Sequence, residues 1–453
     1  MSSPISLNVT GLDTETLIQE LMKLEKQPVV ALEAKQRMIA DRKAAWNALK
    51  GKIDSLMSKI RPLLGQAVYD AKVAKTSDPA VISATAFRAA MPGNYDVEVL
   101  NLAKAHTLQS RSFTQLPDEA LGFSGKLVLS VGGAVGEIII QGGENPDSLN
   151  SVAAKINSIE GLGITASVLE VVPSEYRLVL AAASTGQAIS VEDEGSALGL
   201  ATVEGREPAK AMFRINGITF ERDSNDISDA VPGVSFNLLK AGAASVTVSY
   251  DDDALVKTVN ELINEYNSLL DIAAKYNSWD SDTRKAGLLF GDPLLQRLLS
   301  QIRTTIFSDI SGRFPGFRFV GAVGISTGSI GSYSRDGKLS LDESKFREAL
   351  AENRDAVASL LGEDEAGSEG VLANLRQVLQ MYVAHDGFLP LRDAQLESQD
   401  KDISRQIENL ERRLQIRLMN LRRQFTALET LLMQMNSQGL WLAQQVQGLF
   451  VGD

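Results

Sequence analysis

The chain has 453 residues, 44% hydrophobic and 23% charged, with a formal net charge of −12. That length makes room for about two to four domains, and the acidic balance argues against nucleic acid as a main partner, because phosphate binding needs clustered positive charge. There is no cysteine, and His106 and His385 are the two histidines, so disulfides, thiolate metal sites and histidine relays have little to be built from.

Residues 1–12 carry neither a basic stretch nor an apolar run of the kind a secretory signal needs. Taken alone, that points to the cytoplasm, but only for export routes that use such a signal. Asp13 is a good N-cap ahead of "TETLIQELMKLEKQ", in which Leu17, Leu21 and Leu24 fall on one helical stripe. Pro28 breaks or restarts that helix. From Trp46 the apolar positions Trp46, Leu49, Ile53, Leu56, Ile60 and Leu63 step by three and four, the seam of a coiled coil, and Pro62 predicts a stop or kink.

Residues 76–250 have a different texture. "NYDVEVLNL", "GKLVLSVGG", "EIIIQGG", "ITASVLEVV", "YRLVLAAA", "MFRINGITFERD" and "SVTVSY" are short alternating segments bounded by turn-forming residues, and they predict strands. A helix is expected at "DSLNSVAAKINSIE". A weak internal repeat is visible, since Asp147 and Asp226 each open an acidic cap and a helical turn before a glycine and a strand. Asp251, Asp252 and Asp253 then cap a further helix, and Asp292-Pro293 starts another. "SRDGKLSLDESKFREAL" predicts a hairpin-like turn at Asp336-Gly337 followed by a helix.

Towards the end, Ile407, Leu414, Leu421, Leu428 and Met435 recur every seven residues. Their companions Ile403 and Leu410, then Leu418, Phe425 and Leu432, slip by one residue, a stutter that relaxes a supercoil. A coiled coil and an ordinary bundle core both fit; in either case the two ends form one helical unit, because neither buries its stripe alone. After Glu429 no charge occurs until Asp453. A membrane span needs ~20 predominantly apolar residues, whereas the longest apolar run here is Leu440–Ala443 and glutamines interrupt the rest. Burial against protein remains, with Trp441 and the stripe Leu442, Val446 and Leu449 as anchors. The residues 1–12, equally uncharged, behave likewise.

Reactive motifs are sparse. Gly324-Ile-Ser326-Thr-Gly328 matches G-x-S-x-G, with His385 downstream, but the elbow requires a strand that turns into a helix, and "STGSIGSYSRDG" is too rich in glycine and serine for one. A glycine-rich loop or hairpin is expected instead. No P-loop occurs, Gly161-Leu-Gly163 lacks the rest of a dinucleotide fingerprint, and "DGKLSLDE" lacks calcium-loop spacing. No catalytic residue, cofactor site or metal site is therefore assigned. Six arginines lie between Arg405 and Arg423, diluted by Glu408 and Glu411 and flanking the apolar seam. They read as a solvated or partner-facing helix flank in preference to a nucleic-acid site.

"GLDTETLIQELMKLEKQPV", from Gly11 to Val29, resembles the opening of the bacterial flagellar filament cap family, hook-associated protein 2, through Gly11, Leu12, Asp13, Leu21, Met22, Glu25 and Pro28. "LNVT" stands where the family has a further Gly and Ser. "TSDPAVISATAFRAAMPGNYDVEVLNLAKAHTL", "FRINGITFERDSNDISDAVPGVSFNLL", "DGKLSLDESKFREAL" and "MNSQGLWLAQQ" are similar to further family segments in order, and about 114–204 matches least. The resemblance implies a structural cap at the distal end of the flagellar filament, a ring-shaped homo-oligomer that helps exported flagellin fold and insert and prevents its loss. Implied partners are further copies of the chain, flagellin, hook–filament junction proteins, the flagellar type III export apparatus and a cytoplasmic export chaperone. Nucleic acid and membrane insertion are not among them. The implied location is extracellular, reached without a cleaved signal peptide. The alternative is a secreted adhesin whose β-rich heads bind host glycans; an enzyme is a distant third.

The expected fold is α+β and multidomain, a coiled-coil or helical-bundle leg with inserted, mostly antiparallel heads. Terminal helical tails, 1–30 and 437–453, are expected to be mobile until assembled. The leg comprises 31–72 and 251–436, with a small hairpin near 318–341. The first head takes 73–108 and 205–250, and the second, most variable one takes 109–204. Leu12, Leu17, Leu21, Leu24, Trp441, Leu442, Val446 and Leu449 are the expected assembly residues. Trp46, Ile53, Ile60, Ile407, Leu414, Leu421 and Leu428 are the expected seam.

Overall fold

The computed structural model describes residues 13–449 apart from 142–146, 196, 311–313, 329–335 and 363–369, and for 444–449 the backbone alone. The chain divides into two compact units, one of 1–66 with 256–453 and one of 67–255.

Helix α1 (Thr14–Glu25) begins where the Asp13 carboxylate accepts the Thr16 N–H at 3.1 Å. Both Thr16 hydrogen bonds hold the Asp13 carboxyl below its usual range. Helix α2 (Gln27–Ile60) follows one residue later, with Pro28 in its first turn. Proline there removes an N–H that has no helical partner anyway, so it restarts the helix instead of kinking it. Trp46, Leu49, Ile53, Leu56, Ile60 and, just past the helix end, Leu63 are all buried.

The second unit starts within a short helix, α3 (Gln66–Tyr69). Its first strands are β1 (Lys72–Thr76), β2 (Ile82–Ala86), β3 (Gly93–Asn101) and β4 (Thr107–Gln109). Next come β5 (Gly125–Val131), β6 (Ala134–Ile140), α4 (Leu149–Asn157), β7 (Ile164–Val172), β8 (Glu175–Ala182), β9 (Ser190–Glu194) and β10 (Ala201–Thr202). It closes with β11 (Ala211–Ile215), β12 (Ile218–Arg222), β13 (Asp226–Val231), β14 (Val234–Leu238) and β15 (Gly242–Tyr250). The sheets β1-β15-β3-β11-β12 and β13-β14-β2 enclose one core, which contains Phe213, Phe236 and Val246. The sheets β10-β4-β8-β7 and β6-β5-β9, with α4, enclose another around Leu127, Ile156 and Leu180. Strand alternation sorts the faces: in β11, Ala211, Phe213 and Ile215 point inwards while Met212 and Arg214 point out.

The segment from Asp226 is a strand and not the helical turn its acidic start predicts. Val231 pairs with Val234 across Pro232-Gly233, and Gly233 has φ +76°. Proline followed by a positive-φ glycine is type II turn chemistry, which closes a hairpin. A Cβ on Gly233 would lie 2.4 Å from the Ala90 nitrogen, so glycine alone fits. Only the Asp147 copy leads into a helix, α4, and the internal repeat dissolves.

The first unit resumes in α5 (Asp252–Tyr276), where Asp251 accepts the Ala254 N–H at 3.1 Å. Then come the ribbon β16 (Trp279–Asp280) and β17 (Lys285–Ala286), α6 (Pro293–Ile306), the hairpin β18 (Ile325–Thr327) and β19 (Leu339–Leu341), α7 (Glu343–Leu361) and α8 (Val371–Val383). Helix α9 (Phe388–Leu449) ends the described chain; its 62 residues span about 93 Å at ~1.5 Å each.

Among the described residues every strand pairing is antiparallel. The fold is α+β, with helices from both chain ends and several antiparallel sheets.

Helices α2 and α9 run antiparallel: Lys43 is 3.4 Å from Asp393, and Gln36 donates to Ser404 at 2.9 Å. Trp46 therefore lies ~15 Å further along α2 than Gln36, on the side away from Ile407. The Trp46–Leu63 stripe turns instead into the bundle, where Leu56 and Leu63 share a small apolar cavity of ≈ 30 Å³ with Val259 of α5 and Leu375 of α8. The two halves of the expected seam thus meet different helices.

Candidate assembly interface

Helix α1 lies antiparallel on α9. Glu25 is 3.0 Å from Arg417, Glu15 is 3.1 Å from Arg422, and Thr14 donates to Glu429 nearer the chain end. Under these polar contacts Ile18, Met22 and Leu421 form a small buried cluster, flanked by half-buried Leu414, Leu418 and Phe425. Apolar burial carries the docking, because both ion pairs are exposed and an exposed pair is worth at most ~1 kcal/mol. The arginines between Arg405 and Arg423 thus include two that hold α1 in place.

The stripe Leu17, Leu21 and Leu24 is not the one that docks. It is 45%, 42% and 65% exposed, respectively. Ile18 and Met22, one residue on, have the same i, i+4 spacing and face α9. That pair was missed in sequence because two adjacent apolar stripes on one short helix are indistinguishable until the partner is known. Of the other expected seam positions, Trp46, Ile53 and Ile60 are buried in the bundle, Leu421 is buried under α1, Ile407 and Leu414 are half-buried, and Leu428 is exposed.

Beyond Glu429 the α9 backbone stays helical to Leu449. Leu431, Met433, Met435, Leu440, Trp441 and Leu442 are all exposed, without a charge among them to keep the surface solvated. Scattered exposed apolar residues need no explanation, but a contiguous apolar surface marks an interaction site. Leu12 and the side chains of Val446 and Leu449 lie outside the described residues. Among the described residues no helix is long and apolar enough to cross a membrane.

The residues of the G-x-S-x-G match and the buried histidine make local structural contacts. Ser326 sits on β18, and its hydroxyl donates to the Gly328 carbonyl at 3.3 Å. Gly324 of the same motif ends a 3₁₀ turn in the left-handed region, φ +80°, where a Cβ would meet the Asp342 carbonyl oxygen at 2.7 Å. Local backbone geometry accounts for that glycine. His385 is exposed in the turn after α8. His106 is buried: its Nδ1 accepts the Ile189 N–H at 2.8 Å, so Nε2 carries the proton and donates to the Thr202 hydroxyl at 3.1 Å. Burial lowers its pKa, against the opposing pull of Glu207.

The C-terminal domain model of flagellar hook-associated protein 2 matches residues 209–437, half of the chain by itself, and the N-terminal model matches 10–106. The flagellar hook-associated protein 2 of Escherichia coli K12 is 25% identical over 99% of both chains. The A-type protein of that name from Pseudomonas aeruginosa is 25% identical over 97% of this chain and 96% of its own. Among solved structures, the D1-D2-D3 domains of the flagellar cap protein FliD from Escherichia coli align with a TM-score of 0.59 at 24% identity, covering 78% of this chain and 99% of that one. This last likeness is one of fold.

Proposed function

The chain belongs to the flagellar hook-associated protein 2 family, and from that premise we propose that its terminal helices are the surface by which it assembles as a cap at the distal end of the filament. The family is one of structural flagellar cap proteins, and membership places the work of this chain at the filament tip. The finer reading is that copies form a ring, that flagellin folds and inserts beneath it instead of being lost, and that hook–filament junction proteins share the contacts. Export through the flagellar type III apparatus with a cytoplasmic chaperone, and without a cleaved signal peptide, belongs to the same reading.

One observation supports it above the others. The apolar side chains of α9 from Leu431 to Leu442, in a stretch free of charge, stay exposed and are not buried by any of the described residues of the protomer. Buried in an assembly, a Leu or Trp of this kind contributes ~1.5–3 kcal/mol. Several legs making such contacts hold a cap in place while each lets go in turn, because avidity multiplies weak sites. Removing residues 437–453 tests this. The shortened protein should fold with its head domains melting unchanged, tip binding should vanish, and flagellin should appear in the medium. Normal motility with the shortened chain as sole copy would refute the proposal.

A further inference from the structure

The arrangement that seats α1 on its own α9, an apolar centre rimmed by charge, recurs on the outer faces of both helices, where among the described residues no second helix covers it. At ~100° per residue, Arg412, Ile416, Met419 and Arg423 fall on one stripe of α9. That stripe lies roughly opposite Leu414, Leu418 and Leu421, which face α1. Ile416 and Met419 are 52% and 54% exposed. Arg412 and Arg423, with Arg413 beside them, are exposed and in no ion pair among the described residues. An apolar pair is thus bracketed by cations.

The outer stripe of α1 is its complement. Leu17, Leu21 and Leu24 line it, and Glu20 flanks it on the side away from Ile18. Lys23 approaches Glu20 at 3.7 Å, but both side chains are mostly exposed and the pair is a weak one. Within one chain, acids of α1 already meet arginines of α9 over an apolar centre. The outer faces offer the same chemistry once more and cannot satisfy each other inside one protomer.

We propose that the outer leucine stripe of α1 docks on the outer arginine-bracketed stripe of α9 in a second copy of this chain. The contact is heterologous, one surface on each partner, so repetition propagates around a ring or along an open spiral. Apolar centre and complementary rim divide the work in the usual way, affinity from the first and register from the second. This rests on the assembly role of the terminal helices and names the partner for α1.

Charge reversal with full-length chains tests it, read by native mass spectrometry and sedimentation. Glu20→Arg places a cation against cations, and Arg412→Glu with Arg423→Glu places acids against an acid. Each variant alone should self-associate at least ~10-fold more weakly, since like charges brought together at an interface cost several kcal/mol. Mixing the two variants should restore association as mixed-mass oligomers, because each offers the other a matching face. Both change exposed side chains, and unchanged melting curves would show that both fold. A wild-type chain that stays monomeric, variants that associate like wild type, or a mixture that stays dissociated would each overturn the proposal. The chain lacking 437–453 keeps both stripes and should still self-associate, so loss of tip binding in that chain and loss of self-association here are separate failures.

Discussion

Ile18→Ala is the sharpest test of how α1 is held. Ile18 is 3% exposed, and its buried neighbours Met22 and Leu421 are 8% and 6% exposed. Truncating a buried Ile, Leu or Met to Ala costs ~2–5 kcal/mol, least where surroundings can close in. This cluster has three buried members and a half-buried rim, which places the cost near the lower bound, ~2 kcal/mol. Twelve residues make a marginal helix in water, so losing the docking also melts the helix. A change of ~2 kcal/mol raises the undocked population by ~30-fold, and amide exchange across Thr14–Glu25 should accelerate to match. Leu421→Ala should do the same from the other side. Glu15→Gln and Glu25→Gln should accelerate exchange by less than ~5-fold, because they remove exposed pairs only. The bundle amides around Trp46–Leu63 should not respond. If the apolar and charge substitutions act equally, or if loss of protection spreads into the bundle, the docking does not work this way.

Three further outcomes are expected. A fragment spanning 70–251 should fold alone with strand-dominated circular dichroism, because both β cores and the Lys72↔Tyr250 pairing lie within it; a largely unfolded fragment would contradict this. Burial holds the pKa of folded His106 below the ordinary 6.5, so the folded state favours the neutral ring. Below pH 6.5 the unfolded chain therefore takes up a proton that the folded chain resists, and stability falls with pH. The melting midpoint of the fragment should drop between pH 7 and pH 5, and His106→Gln, at a cost of ~1 kcal/mol in hydrogen bonding, should flatten that dependence. Ser326→Ala and His385→Ala should leave motility within assay error, since among the described residues neither hydroxyl nor ring reaches a partner that could activate it; loss of motility with both proteins folded would reopen the question of catalysis.

What was legible in the sequence follows the range of the forces involved. Caps are local, so Asp13 and Asp292 each stand where a helix begins, whereas "MFRINGITFERD", which alternates as one strand segment, is a hairpin of β11 and β12 turned at Asn216-Gly217. The Trp46–Leu63 stripe was legible because a fully buried helical face leaves one unbroken period. Pairings across long separations leave no such mark. β1 pairs with β15, and Glu15 finds Arg422 from the other end of the chain. Asp226–Val231 fits both a capped turn and a strand by composition, and the Pro232-Gly233 turn geometry decides it.

The assembly residues stand at the limit of this. A missing charge between Glu429 and Asp453 is visible in sequence, but exposure is not, and exposure is what separates an interface from a core. Leu17, Leu21 and Leu24 show the difference most clearly. As a stripe they are indistinguishable from the docking face of α1; only when Ile18 and Met22 have taken α9 do they become a surplus face. The same subtraction applies to the arginines, since among the described residues Arg417 and Arg422 pair within the protomer and Arg412 and Arg423 do not. A helix face gains meaning as an interface only after every partner in its own chain has been counted against it.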